Sequence, residues 1–524
     1  MTVSYVILHY LAVQDTIECI KSIHENVIPF TKHEVNIVIV DNGSPNHSSR
    51  KLEKTFLPDS HIHLIKSEQN LGFAKGNNLG FQYAKYQLQS DFIVLLNNDT
   101  IIRQHDFTEV LVNKYDKKKY GVLGPDIIAA DGYHQNPGDR QSWSIGELRL
   151  FRIKKRIQIL LSYLRMDAVS AKNVENEIYR AETLQGDIER TILHGACLIF
   201  SPDYIKRFEG LHDETFLYME EDILKLYADY YGFLMLYSSD LQIYHKEDAA
   251  TNMAEISDRE KVRRKDRLLI DSSKIYSRLK KRMIRKKTMI QSMRRMAQMI
   301  KPTGKEYQID LDIPLSYLAG MSLKRIKMII RGKIKTLSMK KAGKIVFCGK
   351  NVKLICRSKM RIGTGVTIQD NVYMDALSKA GITIEDGCSI GAGTTIRCSG
   401  NLKEIGAGFY LGKDSSLADH CFVGATGGVS IGDHVIGGQN IRFHSSNHRF
   451  SDSHRWIKDQ GITSEGIRIG NNCWIGAGAV FCDGVTIGDG CVIAANAVVT
   501  KNFSANSVIA GVPAKTIAKR SRER

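Results

Sequence analysis

The sequence predicts an α/β domain, then a basic helical segment, then a parallel β-helix, in that order along 524 residues. Three observations carry this. Strand-like and helix-like stretches alternate over roughly the first 255 residues, aliphatic residues recur at every sixth position from about 345 to 518, and a highly basic segment lies between the two patterns. At roughly 100–200 residues per domain, the length suits two or three domains. Hydrophobic residues at 43%, charged residues at 25% and a mean hydropathy of −0.22 exclude collagen-like, disordered and polytopic membrane classes. No run approaches the roughly 18 apolar residues of a membrane span, and the opening residues Val3–Val13 lack the basic n-region of a signal peptide, so a cytoplasmic protein is expected.

In the first domain, Val3–Tyr10 reads as a strand, a helical pattern follows through Ile28, Val35–Ser44 is a strand ending in a turn, and Asp91–Asp99 is a strand ending in acid. Strands separated by helices imply a parallel sheet covered on both faces. Ligands of such sheets bind at the carboxyl ends of the strands, where Asp41 and Asp99 fall.

The net charge of +18 belongs to one segment. Arg259–Lys350 holds 28 Lys and Arg against 6 Asp and Glu, a local +22, which leaves the rest of the chain at −4. Within it, Ile275–Ile300 interleaves Ile, Leu and Met with the cations at helical spacing. Such a segment suits an anionic membrane surface, a solvated connector helix or nucleic acid. No nucleic-acid-binding motif accompanies it, so no nucleic-acid partner is expected.

Farther on, Ile469, Ile475, Phe481, Ile487, Ile493 and Val499 form one six-residue register, and Ile405, Leu411, Leu417, Val423 and Val429 form another. This period is neither 2 nor 3.6. It is the signature of a β-helix whose aliphatic residues point into the coil, three faces to a turn, with Ile469 stacked on Ile487. Of the ten cysteines, eight fall between Cys348 and Cys491 with no CxxC pair, so they read as reduced core residues rather than a zinc site or disulfide framework. The register breaks between about Ile441 and Arg468, and the polar stretch there contains His444, His448 and His454. A long loop on a rigid scaffold is a place for function, and an imidazole is a natural general base at neutral pH. An ordinary surface histidine is the alternative for each of the three.

The loop motif Asn447–Phe450 and the repeats from Ile467 to Arg520 resemble the hexapeptide-repeat O-acetyltransferases of the maltose, galactoside and polysaccharide type, over about residues 315–520. The resemblance implies a left-handed β-helix, acetyl-CoA as donor and a homotrimer with active sites between neighbouring solenoids. It assigns the base to His448, with His444 in reserve. It places the coenzyme near Trp474, Ala477, Thr500 and Lys501, and its phosphates near Lys515 of Gly511–Lys515. Solenoid packing remains the alternative for Trp474, and solvated cations for Lys501 and Lys515. A histidine that activates a sugar hydroxyl for direct attack on the thioester needs no cysteine nucleophile.

The first domain resembles the inverting glycosyltransferases of family 2, especially rhamnosyltransferase-like enzymes. The matching pieces are Val40–Ser44, Gln69–Gly80, Leu95–Thr100, His194–Ser201, Phe216–Leu224 and Ile243–His245, in family order. The resemblance implies a GT-A fold, a nucleotide-diphosphate sugar and a divalent cation, Mg or Mn, with Asp99 and His245 as its ligands. Asn97-Asn98-Asp99 keeps only the last carboxylate of the usual Asp-x-Asp, which leaves the strictness of the metal requirement open. Asp41 is assigned to the nucleotide base, or else caps its turn. Asn77, Asn78 and Asn97 are assigned to the donor, or else Asn77 and Asn78 cap loops. Of the three acids Glu220-Glu221-Asp222, Glu221 takes the base position and Asp222 the place one residue on. His194 faces the acceptor or is a structural histidine.

The resulting expectation is a bifunctional enzyme of bacterial surface polysaccharide assembly, capsule or O-antigen. Its domains are 1–255 (glycosyltransferase), 256–314 (linker) and 315–524 (acetyltransferase). Its acceptor is a polysaccharide or lipid-linked oligosaccharide, and its basic segment makes a peripheral contact with the inner face of the membrane. The alternative keeps one active half, with the other as a structural module.

Overall fold

A computed structural model describes residues 1–56, 58–138, 142–164, 184–246, 258–300, 308–400 and 405–520. The expected boundary at 255–256 lies outside the described residues. The chain forms two compact units, Met1–Arg285 and Lys286–Arg524.

The first unit runs β1 (Thr2–His9), α1 (Val13–Asn26), β2 (Glu34–Asp41), α2 (Ser49–Phe56), β3 (Ile62–Lys66), α3 (Phe73–Tyr86), β4 (Phe92–Asn97), β5 (Thr100–Ile101), α4 (Phe107–Lys118) and β6 (Val122–Ala129). It continues through α5 (Ile145–Tyr163), β7 (Asp187–Glu189), β8 (Cys197–Phe200), α6 (Pro202–Arg207), α7 (Glu220–Tyr231), β9 (Met235–His245) and the start of α8 (Asp258–Ile300). The sheet order is β3-β2-β1-β4-β8-β6-β9-β5, with β7 also on β9. Both faces are covered, as near-continuous apolar strands require. Val3, Tyr5, Ile7, Ile37 and Ile39 pack with α1 on one face, while Val6, Val38 and Val40 pack with Phe81 and Ala84 of α3 on the other. A Cβ at Gly80 would stand 2.3 Å from Val6 Cγ1, so this glycine lets α3 lie directly on β1. The sheet departs from the expected all-parallel arrangement. It is parallel over β3-β2-β1-β4, but β8 runs antiparallel to both β4 and β6, and β5 runs antiparallel to β9. The alternation of strands and helices is interrupted between β4 and β5 and before β8, which is where the direction changes.

The second unit opens, after the end of α8, with α9 (Leu315–Thr336), which packs on the solenoid strand Val346–Cys348. Three sheets of seven, nine and seven strands then stack coil on coil, with parallel pairing between successive coils. Ile469 pairs with Ile487, 18 residues on, and Ile475 with Ile493. Every residue of the two aliphatic registers is buried except Ile405, which is 37% exposed, so the earlier register enters the interior at Leu411. Carboxylates and amides cap the corners. Asp386, Asp433, Asn471 and Asp489 each accept a hydrogen bond from a backbone N–H of the preceding coil. The cysteines are all free, and burial lifts the Cys473 thiol to about 11, consistent with a packing role.

No helix among the described residues is long and apolar enough to cross a membrane. Along α8, Ile270, Tyr276, Leu279 and Ile290 are buried and used in packing, while Val262 and Ile284 are exposed.

Candidate active sites

In the first unit the antiparallel pairing of β5 with β9 sets Thr100 opposite His245. That register carries Asp99 to the imidazole: Asp99 Oδ1 lies 3.2 Å from His245 Nε2, and both residues are 8% exposed. His245 Nδ1 is 2.8 Å from Gln135 Oε1. With Nδ1 turned to Gln135, it is Nε2 that faces the Asp99 carboxylate, and an imidazole nitrogen beside a carboxylate oxygen is a donor set that fits a divalent ion as two of its ligands. No group of three or more His, Cys, Asp or Glu residues suited to a metal occurs among the described residues.

His194 stands beside this pair, its ring 5.9 Å from that of His245 in an edge-on arrangement. Its loop is fixed by Asn136, whose Oδ1 accepts from the His194 N–H and whose amide donates to Pro125 O. The Ala196 N–H donates to His194 Nδ1, which leaves Nε2 to carry the ring proton.

Glu220, Glu221 and Asp222 form the first turn of α7, and the two residues before it, Tyr218 and Met219, have positive φ of 77° and 67°. Non-glycine residues held in this region are a form of local strain that concentrates at functional sites. Glu221 lies against the bare backbone of Gly195, where a Cβ would come 2.4 Å from its Oε1 and 3.5 Å from Phe73 Cζ. Asp222 lies on the side of α7 toward Tyr276, whose hydroxyl is raised to about 12 by burial and by the Asp222 charge. Glu220, 4% exposed and with Oε1 buried lacking a hydrogen-bond partner, is pushed up to about 8, by burial first and by Glu221 second. His194, Asp99, His245 and Glu221 therefore form one locality at the ends of β4, β8 and β9.

Asp41 ends β2 and is 5% exposed, and its Oδ1 accepts from the Ser44 N–H, so it does cap its turn. The Asn77 amide donates to Phe73 O, and its buried Oδ1 has no partner. Asn78 is different. Its amide donates to Leu211 O and its Oδ1 accepts from the Leu211 N–H, so the whole side chain fastens α3 to the 210–211 loop. Asn97 ends β4, half-buried, and its N–H donates to Ala196 O. Sequence reasoning missed Gln135, Asn136 and Gly195, which lie outside any periodic pattern. Of its three acid candidates, Glu220 is the buried one.

In the second unit His448 is exposed on a two-stranded ribbon in which Asn447 pairs with Thr463 and His448 with Ile462. His444 is not in the projecting loop. Arg442–His444 is still a solenoid strand, because the Phe443 ring is buried and stacks on Phe481 at 4.9 Å, and His444 packs on Phe422. His454 lies within the exposed loop. Trp474 is 56% exposed beside Ile436, which is 62% exposed. Its nine-stranded sheet also contains the hairpin Ser507–Gly511/Ala514–Lys519 that bears Lys515. Ala477 turns the corner to the next face, which Thr500 and Lys501 close, with Lys501 over the Phe503 ring. Within one chain these residues are thus distributed over two faces and a projecting ribbon.

The two units carry separate family likenesses. Residues 4–170 match the glycosyl transferase family 2 model, residues 466–501 the bacterial transferase hexapeptide model and residues 360–398 the hexapeptide repeat of succinyl-transferase. The chain therefore carries a family 2 glycosyltransferase domain followed by acetyltransferase-type hexapeptide repeats. It is 26% identical over 218 residues to a low-salt glycan biosynthesis hexosyltransferase of Haloferax volcanii, covering 42% of this chain and 58% of that one. It is 31% identical over 170 residues to a probable acetyltransferase of Mycobacterium tuberculosis, covering 32% and 53%. The chain spans about half the length of these curated relatives. Among solved structures it is similar to an N-acyltransferase from Bacillus cereus in complex with dTDP and 3-hydroxybutyryl-CoA, at 18% identity and a TM-score of 0.24, over 37% of this chain and 89% of that one.

Proposed function

We propose that the chain is a bifunctional enzyme of bacterial surface polysaccharide assembly, capsule or O-antigen, acting in the cytoplasm and peripherally at the inner face of the membrane. The amino-terminal half transfers a sugar with inversion from a nucleotide-diphosphate donor to a polysaccharide or lipid-linked acceptor. The carboxyl-terminal half O-acetylates a sugar hydroxyl from acetyl-CoA. The observation that carries this reading is the meeting of Asp99, His245, His194 and Glu221 at one sheet end.

Asp99 and His245 would hold Mg or Mn, which would supply positive charge beside the departing diphosphate. Asp41 meets the nucleotide base, Asn77 and Asn97 meet the donor, and Asn78 supports them through the 210–211 loop. Glu221 takes the proton from the acceptor hydroxyl as its oxygen attacks the anomeric carbon, with Asp222 as the alternative base. Glu220, kept protonated by burial, adds no second charge beside it. His194 orients the acceptor. In the homotrimer expected of the solenoid, His448 takes the proton from a sugar hydroxyl as it attacks the thioester. Trp474, Ala477, Thr500 and Lys501 line the coenzyme arm, and Lys515 meets its phosphates.

Incubation of the purified chain with candidate nucleotide sugars, acetyl-CoA and a lipid-linked acceptor, read by mass spectrometry, tests this. A product carrying both added groups is expected. Sugar addition without acetylation, or the reverse, would instead mean that one half is a structural module.

A further inference from the structure

We propose that α5 is a membrane-docking helix that holds the acidic turn of α7 close above an anionic lipid surface. Along α5 and at the residue that ends it, Leu150, Ile153, Ile157, Leu160 and Leu164 are each 51–58% exposed. Their spacing of three and four residues places them on one stripe. The opposite side is the packed one. Leu148 is buried with Met219, Ile223, Tyr276 and Leu279, Lys155 pairs with Asp266 of α8, and Arg152 donates to Ser277.

Charge names the occupant. Ile145–Tyr163 contains Arg149, Arg152, Lys154, Lys155 and Arg156 against a single acid, Glu147, which is engaged in the capping box with Ser144. By helical spacing Arg149 and Arg156 flank the stripe on one edge and Lys154 on the other. An apolar stripe edged with cations matches the acyl boundary and headgroups of an anionic bilayer. An apolar protein face would leave those cations without partners.

The packed side gives the docking a consequence. Met219 and Ile223, which bracket Glu220–Asp222, touch α5 through Leu148, so the acidic turn would stand about one helix diameter, roughly 10 Å, above the headgroups. That height suits an acceptor sugar carried on a lipid. The inference rests on the proposed lipid-linked acceptor only for this consequence. The docking itself is read without any transfer reaction.

The test is flotation of the full chain with phosphatidylcholine vesicles that contain or lack phosphatidylglycerol. The parent should float with the anionic vesicles alone, and high salt should reverse it. Ile153→Gln/Ile157→Gln/Leu160→Gln, all at exposed positions, should weaken binding by roughly tenfold or more with unchanged melting. The matching change on α9, Ile326→Gln/Ile330→Gln/Ile334→Gln, should leave it intact. Ile157→Trp should add a fluorescence component that shifts to the blue with anionic vesicles. Flotation of the α5 variant at the parental level, loss of flotation in the α9 variant instead, or an unmoved Ile157→Trp signal would each overturn the proposal. Intact flotation together with loss of a higher oligomer in the α5 variant would assign the stripe to contact between chains. Absence of sugar transfer in a parent that floats would count against the enzymatic reading alone.

Discussion

Gly195→Ala is the sharpest probe of the proposed sugar-transfer base, Glu221. The new Cβ would lie 2.4 Å from Glu221 Oε1, whereas ordinary contact begins at 3.4 Å, so the carboxylate must withdraw by about 1 Å. What it meets is the far end of a flexible side chain, and the backbone at Gly195 is not in the left-handed region, so the fold should absorb the change. A misplacement of about 1 Å at a reacting group costs on the order of 10²-fold in rate. Sugar transfer, followed as release of nucleoside diphosphate, should therefore fall about 10²-fold in kcat with little change in donor KM or melting temperature. Glu221→Gln should cost about 10²–10⁴-fold. If Gly195→Ala keeps parental kcat while Asp222→Asn is inactive, the proton is taken by Asp222 on the Tyr276 side of α7, and the assignment of Glu221 is refuted.

The metal pair predicts that excess chelator stops sugar transfer and spares acetyl transfer. Full sugar transfer under chelation would show that Asn97 in place of an acid has removed the requirement. In the other half, His448→Ala should lower acetyl transfer by about 10²–10⁴-fold with acetyl-CoA binding retained, measured by calorimetry, while His444→Ala and His454→Ala should cost far less. An inactive His444→Ala beside an active His448→Ala would move the base onto the solenoid strand. Glu220 predicts a pH effect on stability. Its carboxyl titrates near 8 in the folded chain, against an ordinary 4.5, so between those values the folded state holds a proton that the unfolded state has lost. Stability from this group is therefore full below about 4.5 and is lost as pH rises to about 8. Glu220→Gln should raise the melting temperature at pH 8 and converge with the parent near pH 4, the difference being a few kcal/mol at most. Equal melting at pH 8 would show that the buried carboxyl carries no such penalty.

The solenoid was legible because its interior accepts an aliphatic residue at one fixed phase, and a six-residue period has no competing explanation. The exception, Ile405, directly follows residues outside the described set. The loop boundary was misplaced for a related reason. Polar residues of Arg442–His444 alternate outward from a strand whose single inward residue is Phe443, and whose ladder to its neighbours leaves no mark in the sequence. A two-residue alternation of that kind is too short to register as a repeat.

The proposed sugar-transfer site was legible only where chemistry and strand ends coincide. Asp41 and Asp99 follow apolar runs, so their position at the sheet edge is implied by the runs themselves. The supports around them are not. Gln135 and Asn136 reach His245 and His194 across more than fifty residues of sequence, and nothing in their own neighbourhood marks them. Gly195 is the clearest instance. In sequence it is one glycine after a histidine. In the fold its missing side chain is the space that the Glu221 carboxylate occupies, beside the His194 ring. The pairing of β4 with β8 and the αL residues before α7 bring that space and that carboxylate together. A site assembled this way depends on what a residue lacks, and such a dependence is found from the fold outward, by asking which atom an added methyl group would displace.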